Sequence, residues 1–207
     1  MLKRKRDIQD EFIQACKHEN STLLEKLLDI GAQVNLAIND EGTPLIVACE
    51  AGNRVAVEFL LDRDANINQA GPDGASPLDV ACRCGHREVV KLLLDRGALL
   101  TDGRRLLWIS CQNGHRDVVE LLLDSGVMID LTMRYGATAL FVACFKGHRQ
   151  IVDFLLDRGA NISHMLDNGV TALYLACKNK DIKLAKLLLD RGALVNQANN
   201  RGVTPLY

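Results

Sequence analysis

Apolar residues recur along the chain at the spacing of amphipathic helices. Between Val89 and Leu94 every position but one is apolar, and these side chains form one broad stripe when the segment is wound as a helix. The same stripe returns at 118–123. A shorter apolar segment precedes each stripe, and Gly85 or Gly114 separates the two segments. Because glycine readily adopts the left-handed conformation that ends a helix, the pattern predicts pairs of short helices.

The helix pairs repeat with a fixed period. Six of the seven cysteines occupy the same place in successive pairs, at steps of 33, 33, 29, 33 and 33 residues: Cys16, Cys49, Cys82, Cys111, Cys144 and Cys177. A Leu-Asp dipeptide near the end of each second helix follows the same steps, and the short step places a four-residue deletion between Gly97 and Arg105. No helix pair can bury its apolar stripe alone, so this period indicates stacked repeats.

Capping residues mark where the first helices begin and end. Thr43-Pro44-Leu45 and Ser76-Pro77-Leu78 place a good N-cap before a proline whose missing N–H costs nothing there. Lys180 and Asp64 stand where other repeats have the glycine that ends a helix. Both are expected to adopt a left-handed backbone, with a strain of roughly 1 kcal/mol at Lys180.

The period, the Thr-Pro-Leu opening and the Gly-His-x-x-Val-Val-x-Leu-Leu-Leu-Asp-x-Gly-Ala ending together resemble the ankyrin repeat. The clearest copy is Ser76 to Ala98, and the resemblance extends from about Asp7 to Tyr207. It implies an all-α solenoid of stacked helix-turn-helix units with projecting loop fingers, in one continuous domain, 7–207. The resemblance implies seven segments. The first is an N-terminal capping helix pair with the first finger (1–42). Five repeats follow, of which the second has a shortened finger (43–75, 76–104, 105–137, 138–170 and 171–203), and the last segment is the start of a truncated repeat (204–207).

The chain departs from the family pattern at one position of each first helix and at its end. The histidine that follows Thr-Pro-Leu in the family is absent, and Trp108, which occupies that position in one repeat, is expected to lie in the core. Leu206-Tyr207 stops inside a predicted first helix. Solenoids usually end in a polar capping repeat, so we expect either a longer natural chain or an exposed last helix pair, and we favour a fragment or truncated gene model.

Composition limits the classes of partner. Hydrophobic residues make up 48% of the chain and aromatic residues 4%, so the core should be aliphatic. A net charge of −1 and the absence of a basic stripe argue against nucleic-acid binding. No apolar run is long enough to cross a bilayer, so no membrane association is expected.

The number of cysteines and the sequence of the amino terminus indicate the cellular compartment of the protein. Seven cysteines without an export signal are expected to be reduced thiols in the cytoplasm. The basic run Lys3–Arg6 is consistent with a nuclear localisation signal, and the alternative is a solvated, frayed terminus.

Cysteine and histidine recur together in three repeats, with Cys82 and His86 as one example. A metal site or a Cys-His nucleophile pair is one interpretation. However, a glycine separates each pair, which places the two residues on different helices, and a free cysteine at a core position behaves as a small hydrophobe. The aspartates recur at the repeat spacing and are therefore interpreted as repeat features. We expect no catalytic residue, metal ion or cofactor.

The resemblance implies that a protein partner binds the finger tips and the exposed face of the first helices. Residues that vary between repeats at such positions are the candidate contacts: Arg134, Tyr135, Phe145, Lys146, Met165, Asp167, Asn168, Arg83 and Asp73. Tyr135 and Phe145 are expected to be exposed aromatics and to form the centre of the surface. The alternative for Phe145 is that it packs under the neighbouring finger.

We therefore predict a monomeric scaffold or adaptor that binds a protein partner and has no enzymatic activity. The alternative is the substrate-targeting portion of a larger multidomain enzyme, of kinase or ubiquitin ligase type, whose C-terminal part is absent. Asn35, Asn68 and Asn196 are similar to sites modified by the asparaginyl hydroxylase that acts on ankyrin proteins. The alternative role, which the resemblance also implies, is stabilisation of the loops.

Overall fold

The computed structural model describes residues 2–37, 41–100 and 102–205, with side chains from Lys5 onward. Twelve α-helices and no β-strand occur in these ranges, and Met165 and Thr171 form an isolated β-bridge. The chain divides into two compact units, unit 1 (1–101) and unit 2 (102–207), with six helices each. The all-α prediction is confirmed.

Unit 1 consists of three helix pairs. Its helices are α1 (Leu2–Ala15), α2 (Ser21–Asp29), α3 (Pro44–Glu50), α4 (Arg54–Leu61), α5 (Pro77–Cys84) and α6 (Arg87–Asp95). The first helices α1, α3 and α5 pack on one another, and the second helices α2, α4 and α6 do the same. Because α1 begins at Leu2, the basic run Lys3–Arg6 lies in a helix and not in a frayed segment, and Lys5 and Arg6 are exposed to solvent as the alternative interpretation expected.

Unit 2 also consists of three helix pairs. Its helices are α7 (Gly103–Asn113), α8 (Arg116–Asp124), α9 (Ala139–Lys146), α10 (Arg149–Asp157), α11 (Ala172–Lys178) and α12 (Ile182–Asp190). The first helices α7, α9 and α11 form one layer, and α8 packs on α10 in the other. The fully buried side chains, such as Leu107, Leu122 and Leu155, are mostly aliphatic, as composition predicted.

Helix α7 differs from the sequence prediction at its start. A repeat boundary was expected after residue 104, but the helix begins at Gly103, and the Asp102 carboxylate caps it by accepting from Arg105 N at 3.3 Å. The α7 helix has eleven residues, whereas α9 has eight. The four-residue deletion leaves too little chain for a finger, and the helix extends into that place.

The predicted caps are confirmed where they are described. Thr43, Ser76, Thr138 and Thr171 each accept a hydrogen bond from the backbone N–H three residues later. Asp79 Oδ2 in turn accepts from Ser76 N at 2.9 Å, which completes a capping box. These local bonds fix the start of each first helix, and therefore the direction in which each preceding finger enters it.

Lys180 and Asp64 adopt the left-handed backbone predicted for them, with φ of 58° and 62°. A side chain at such a φ is strained, and glycine is not. Replacing Lys180 with glycine is therefore expected to raise the free energy of unfolding by about 1 kcal/mol, measured by urea denaturation. Lys183→Gly inside α12 is the control and should lower it by a similar amount. A Lys180→Gly protein no more stable than the parent would contradict the strain.

Three of the six aspartates near the ends of the second helices pair with an arginine of the next repeat. In unit 1, Arg96 Nη1 lies 2.8 Å from Asp62 Oδ1. In unit 2, Arg158 Nη1 lies 2.8 Å from Asp124 Oδ1, and Arg191 bonds Asp157. A carboxylate at a helix C-terminus is disfavoured by the helix dipole, and the arginine that follows it by 34 residues offsets that repulsion. At Asp62, Asp124 and Asp157 the recurring aspartate is thus a stacking feature, whereas Asp95 pairs with Lys91 of its own helix.

Candidate protein-binding surface

The fingers of unit 2 present several of the predicted contact residues. Finger A (131–137) contains a single 3₁₀ turn, Arg134–Gly136, in which Tyr135 has a left-handed φ of 62°. Arg134 and Tyr135 are both exposed, and Tyr135 is 77% exposed. The expectation that Tyr135 is an exposed aromatic is confirmed, because the turn directs it away from the helices.

Finger B (164–170) is hydrogen-bonded to finger A. Asp167 N donates to Tyr135 O at 3.1 Å, and His164 Nε2 is 2.8 Å from Gly136 O. Both bonds use backbone atoms of the tip of finger A, so the position of Tyr135 is fixed relative to Asp167. The contribution of His164 was not predicted, because its partner lies 28 residues away and nothing in the local sequence marks it.

Finger C (197–203) continues the row. Asn200 N donates to Asn168 O at 3.1 Å, and Asn200 Nδ2 donates to Asp167 O at 3.0 Å. Asp167 and Asn168, both exposed and both predicted as contacts, therefore lie in a finger that is bonded on its two sides. Three successive fingers form one ordered row, which costs little further conformational entropy when a partner binds.

The first-helix face contributes the second exposed aromatic. Phe145, in the last turn of α9, is 55% exposed, and Lys146 Nζ lies 5.6 Å from the centre of its ring. The alternative that a neighbouring finger covers Phe145 is therefore wrong. Met165, which is 43% exposed, lies at the base of finger B and pairs with Thr171 through the isolated bridge.

The structure groups the predicted residues of unit 2 into two sets. Tyr135 is joined to Asp167 in the fingers, and Phe145 is joined to Lys146 at the far end of α9. The helical rise from the start of α9 to Phe145 is roughly 9 Å. No hydrogen bond, ion pair or ring contact between the two sets occurs among the described residues, so the candidate surface extends along the helix and is not one compact cluster.

The predicted residues of unit 1 pair with each other. Arg83 Nη1 lies 3.4 Å from Asp73 Oδ2 at the edge of a recess of about 530 Å³ between a finger and α5. The other lining residues are Glu41, Ile46, Glu50, Gly71, Pro72 and Val80. The backbone N–H of Ala75 and then the Arg83 guanidinium hold the pKa of Asp73 below its usual value. The carboxylate is therefore charged and engaged at neutral pH.

Trp108 was expected to lie in the core, but it does not lie there fully. It is half-buried, as are Phe141 and Tyr174 at the same position of the next two first helices. The indole Nε1 is nevertheless enclosed and has no acceptor among the described residues.

Cys16 and Cys111 are buried thiols, and His86 and His148 bond backbone carbonyls of the preceding repeat. Burial raises the pKa of the Cys16 thiol to about 12 and also raises that of Cys111, so neither supplies a thiolate at neutral pH. His86 Nε2 is 2.9 Å from Glu50 O, and His148 Nε2 is 3.1 Å from Gln112 O. In the part of the chain that is described, no three His, Cys, Asp or Glu residues are placed to hold a metal ion.

Asparagines between the second helices and the fingers connect neighbouring repeats of unit 1. Asn35 Nδ2 donates to Asp64 O at 3.1 Å, and Asn35 Oδ1 accepts from Asn66 N at 2.8 Å. Asn68 Oδ1 accepts from Leu99 N at 3.0 Å. These bonds support the loop-stabilising interpretation of Asn35 and Asn68.

Comparison with known proteins identifies the family. A model of three ankyrin repeats matches residues 12–103 and 95–166, and a model of one ankyrin repeat matches 168–200. The chain therefore belongs to the ankyrin-repeat family, as its sequence motifs predicted. None of the curated proteins compared with the chain matches it.

Solved structures agree with the family assignment. The human ASB11 ankyrin repeat domain is 29% identical, with a TM-score of 0.84, over 94% of this chain and 89% of that one. The ankyrin repeat domain of Bcl-3, a member of the IkappaB protein family, has a TM-score of 0.81 at 24% identity, over 94% and 91% of the two chains, and shows the shared fold.

The family assignment indicates the general class of function, which is protein–protein interaction. Ankyrin repeat domains generally mediate protein–protein interaction and are typically non-catalytic modules. Among the described helices, none combines the length and apolar character needed to cross a membrane.

Proposed function

We propose that this protein is an interaction scaffold or adaptor that binds a protein partner through its finger tips and the exposed face of its first helices. The observation that carries the proposal is the row formed by fingers A, B and C. Its backbone hydrogen bonds fix Tyr135 at an exposed position, and Phe145 and Met165 are exposed on the same unit. Exposed aromatic and methionine side chains on a fixed frame are the typical anchors of protein interfaces.

The backbone of Tyr135 supports a binding role. A tyrosine in the left-handed region is strained by roughly 1–2 kcal/mol, and finger B helps to keep it there through the hydrogen bond from Asp167 N to Tyr135 O. The ring is 77% exposed, so folding gains little from burying it. Strain that is maintained without a packing benefit is characteristic of sites that are pre-ordered for a ligand.

The experiment is affinity capture from a lysate of the source cell, with the chain and its Tyr135→Ala/Phe145→Ala variant as baits. We expect a protein that the parent retains and the variant loses. With purified components, the loss of two central aromatic anchors should weaken affinity about thirtyfold or more.

The matched control is Ile182→Ala/Leu194→Ala, which removes two other exposed apolar side chains from unit 2. This variant should retain the partner. Equal retention by all three baits, or equal loss by both variants, would contradict the assignment of the surface to Tyr135 and Phe145.

A further inference from the structure

A second recess lies in unit 2, between fingers B and C and the first helix α11. Its volume is about 320 Å³. The lining residues are Asn168, Val170, Tyr174, Lys178, Asn199, Arg201 and Val203. Two valines and the face of a tyrosine ring provide apolar walls, and the other side chains carry hydrogen-bond donors. Its described lining residues include no aspartate or glutamate.

The two cations of the recess differ from the arginines of the second helices. Arg116, Arg149, Arg158 and Arg191 each form an ion pair with at least one carboxylate. Lys178 and Arg201 form no ion pair within the described ranges. Two positive charges at one recess repel each other, and a bound anion would relieve that repulsion.

The two asparagine amides of the recess have their oxygen atoms already engaged. Asn168 Oδ1 accepts from Val170 N at 3.1 Å. Asn199 Oδ1 accepts from Arg201 N at 2.9 Å and from Val203 N at 3.1 Å. Backbone N–H groups can only donate, so these bonds identify the oxygen atom of each amide, and the NH₂ groups remain available to a ligand. The recess therefore offers donors and positive charge.

The nearest acidic residue of the fingers is directed elsewhere. Asp167 lies beside Asn168 in finger B, but its Oδ1 is packed against Gly136 of finger A, where an added Cβ would approach it to 2.8 Å. The Asp181 carboxylate is bonded to Arg149 at 2.8 Å and caps α12. Neither carboxylate neutralises Lys178 or Arg201.

We infer that this recess binds the carboxylate of a glutamate or aspartate in an extended acidic segment of the protein partner. The inference rests on the proposed function and specifies the chemistry of the partner. The carboxylate accepts from Lys178, Arg201 and the asparagine NH₂ groups, while Val170 and Val203 contact its aliphatic stem. Nucleic acid is the less suitable anion, because phosphate backbones are bound by several cations in a row and the net charge of the chain is −1.

The test is selection of random twelve-residue peptides displayed on phage by the immobilised full chain. We expect peptides enriched in Glu and Asp. The affinity of a selected peptide, measured by fluorescence polarisation, should fall about ten- to a hundredfold in Lys178→Ala/Arg201→Ala, because hydrogen bonds to charged groups are lost. The charge-reversed variant Lys178→Glu/Arg201→Glu should instead select basic peptides.

The control variant is Lys183→Ala/Lys186→Ala, which removes the same charge from exposed positions of α12. It should bind the acidic peptide as the parent does. Equal weakening in the control, selection of no acidic peptide, or displacement of the peptide by a short single-stranded DNA would each overturn the inference. If acidic peptides are not selected but cell-lysate capture still depends on Tyr135 and Phe145, the proposed function stands and this inference alone fails.

Discussion

Replacing Gly169 with alanine is expected to lower the free energy of unfolding by about 3 kcal/mol, the largest effect predicted here for one methyl group. Gly169 is buried in finger B and has a φ of 79°, which an alanine adopts only with strain. An added Cβ would lie 2.7 Å from Asn200 N and 2.9 Å from the Cα of Asn199, both backbone atoms of finger C. Because backbone cannot rotate away as a side chain can, fingers B and C must separate.

Gly192→Ala separates the two contributions to this loss of stability, which are the backbone strain at positive φ and the steric clash between fingers B and C. Gly192 has a similar φ of 89°, but an added Cβ there would meet no atom within 4 Å. Its alanine variant should lose only the conformational part, about 1 kcal/mol. Urea denaturation of both variants measures the difference. Equal losses in the two would show that the close approach of fingers B and C contributes nothing to stability.

The Gly169 substitution should also affect binding. The hydrogen bond from Asn200 N to Asn168 O joins the two fingers at this point, and the recess for an acidic residue lies between them. We therefore expect that Gly169→Ala is folded, as judged by circular dichroism, but no longer binds the selected acidic peptide. Gly192→Ala should bind the peptide normally.

Asn53→Ala is expected to destabilise unit 1 by about 3 kcal/mol. Asn53 is 4% exposed, and its side chain makes three hydrogen bonds. Its Nδ2 donates to Cys16 O at 3.0 Å and to His18 O at 2.8 Å, and its Oδ1 accepts from Ala56 N at 3.1 Å as the cap of α4. Alanine would leave Cys16 O and Ala56 N without these partners in a place that water reaches poorly, and His18 O would keep only its bond from Asn20 N.

Asn20→Ala is the matched control for Asn53→Ala. Asn20 caps α2 by accepting from Leu23 N at 3.0 Å, but it is exposed. Its alanine variant loses a cap that water can replace, so a decrease of about 1 kcal/mol is expected. Thermal unfolding monitored at 222 nm compares the two variants. A decrease for Asn53→Ala no larger than that for Asn20→Ala would show that its bonds to the preceding repeat do not stabilise the fold.

Some of the candidate surface could be predicted from the sequence. The exposure of Tyr135 and Phe145 was predicted because both stand at positions that vary between repeats, outside the apolar stripes. The recess containing Lys178 and Arg201 was not predicted, because its donors come from α11 and from fingers B and C. Only the stacking of those repeats brings the donors together. The NH₂ groups of Asn168 and Asn199 are free because local turn bonds engage the oxygen atoms of these two amides.

The sequence by itself determined the period, the helix pairs, the caps at Thr43 and Ser76, and the left-handed turns at Lys180 and Asp64. The helices, caps and turns depend on interactions within four or five residues, where side-chain chemistry and backbone geometry leave few alternatives. Only the tertiary structure decided that Asn53 joins two repeats and which fingers are bonded to each other. Those bonds join residues about one repeat apart, so their partners are set by how closely the helix pairs pack.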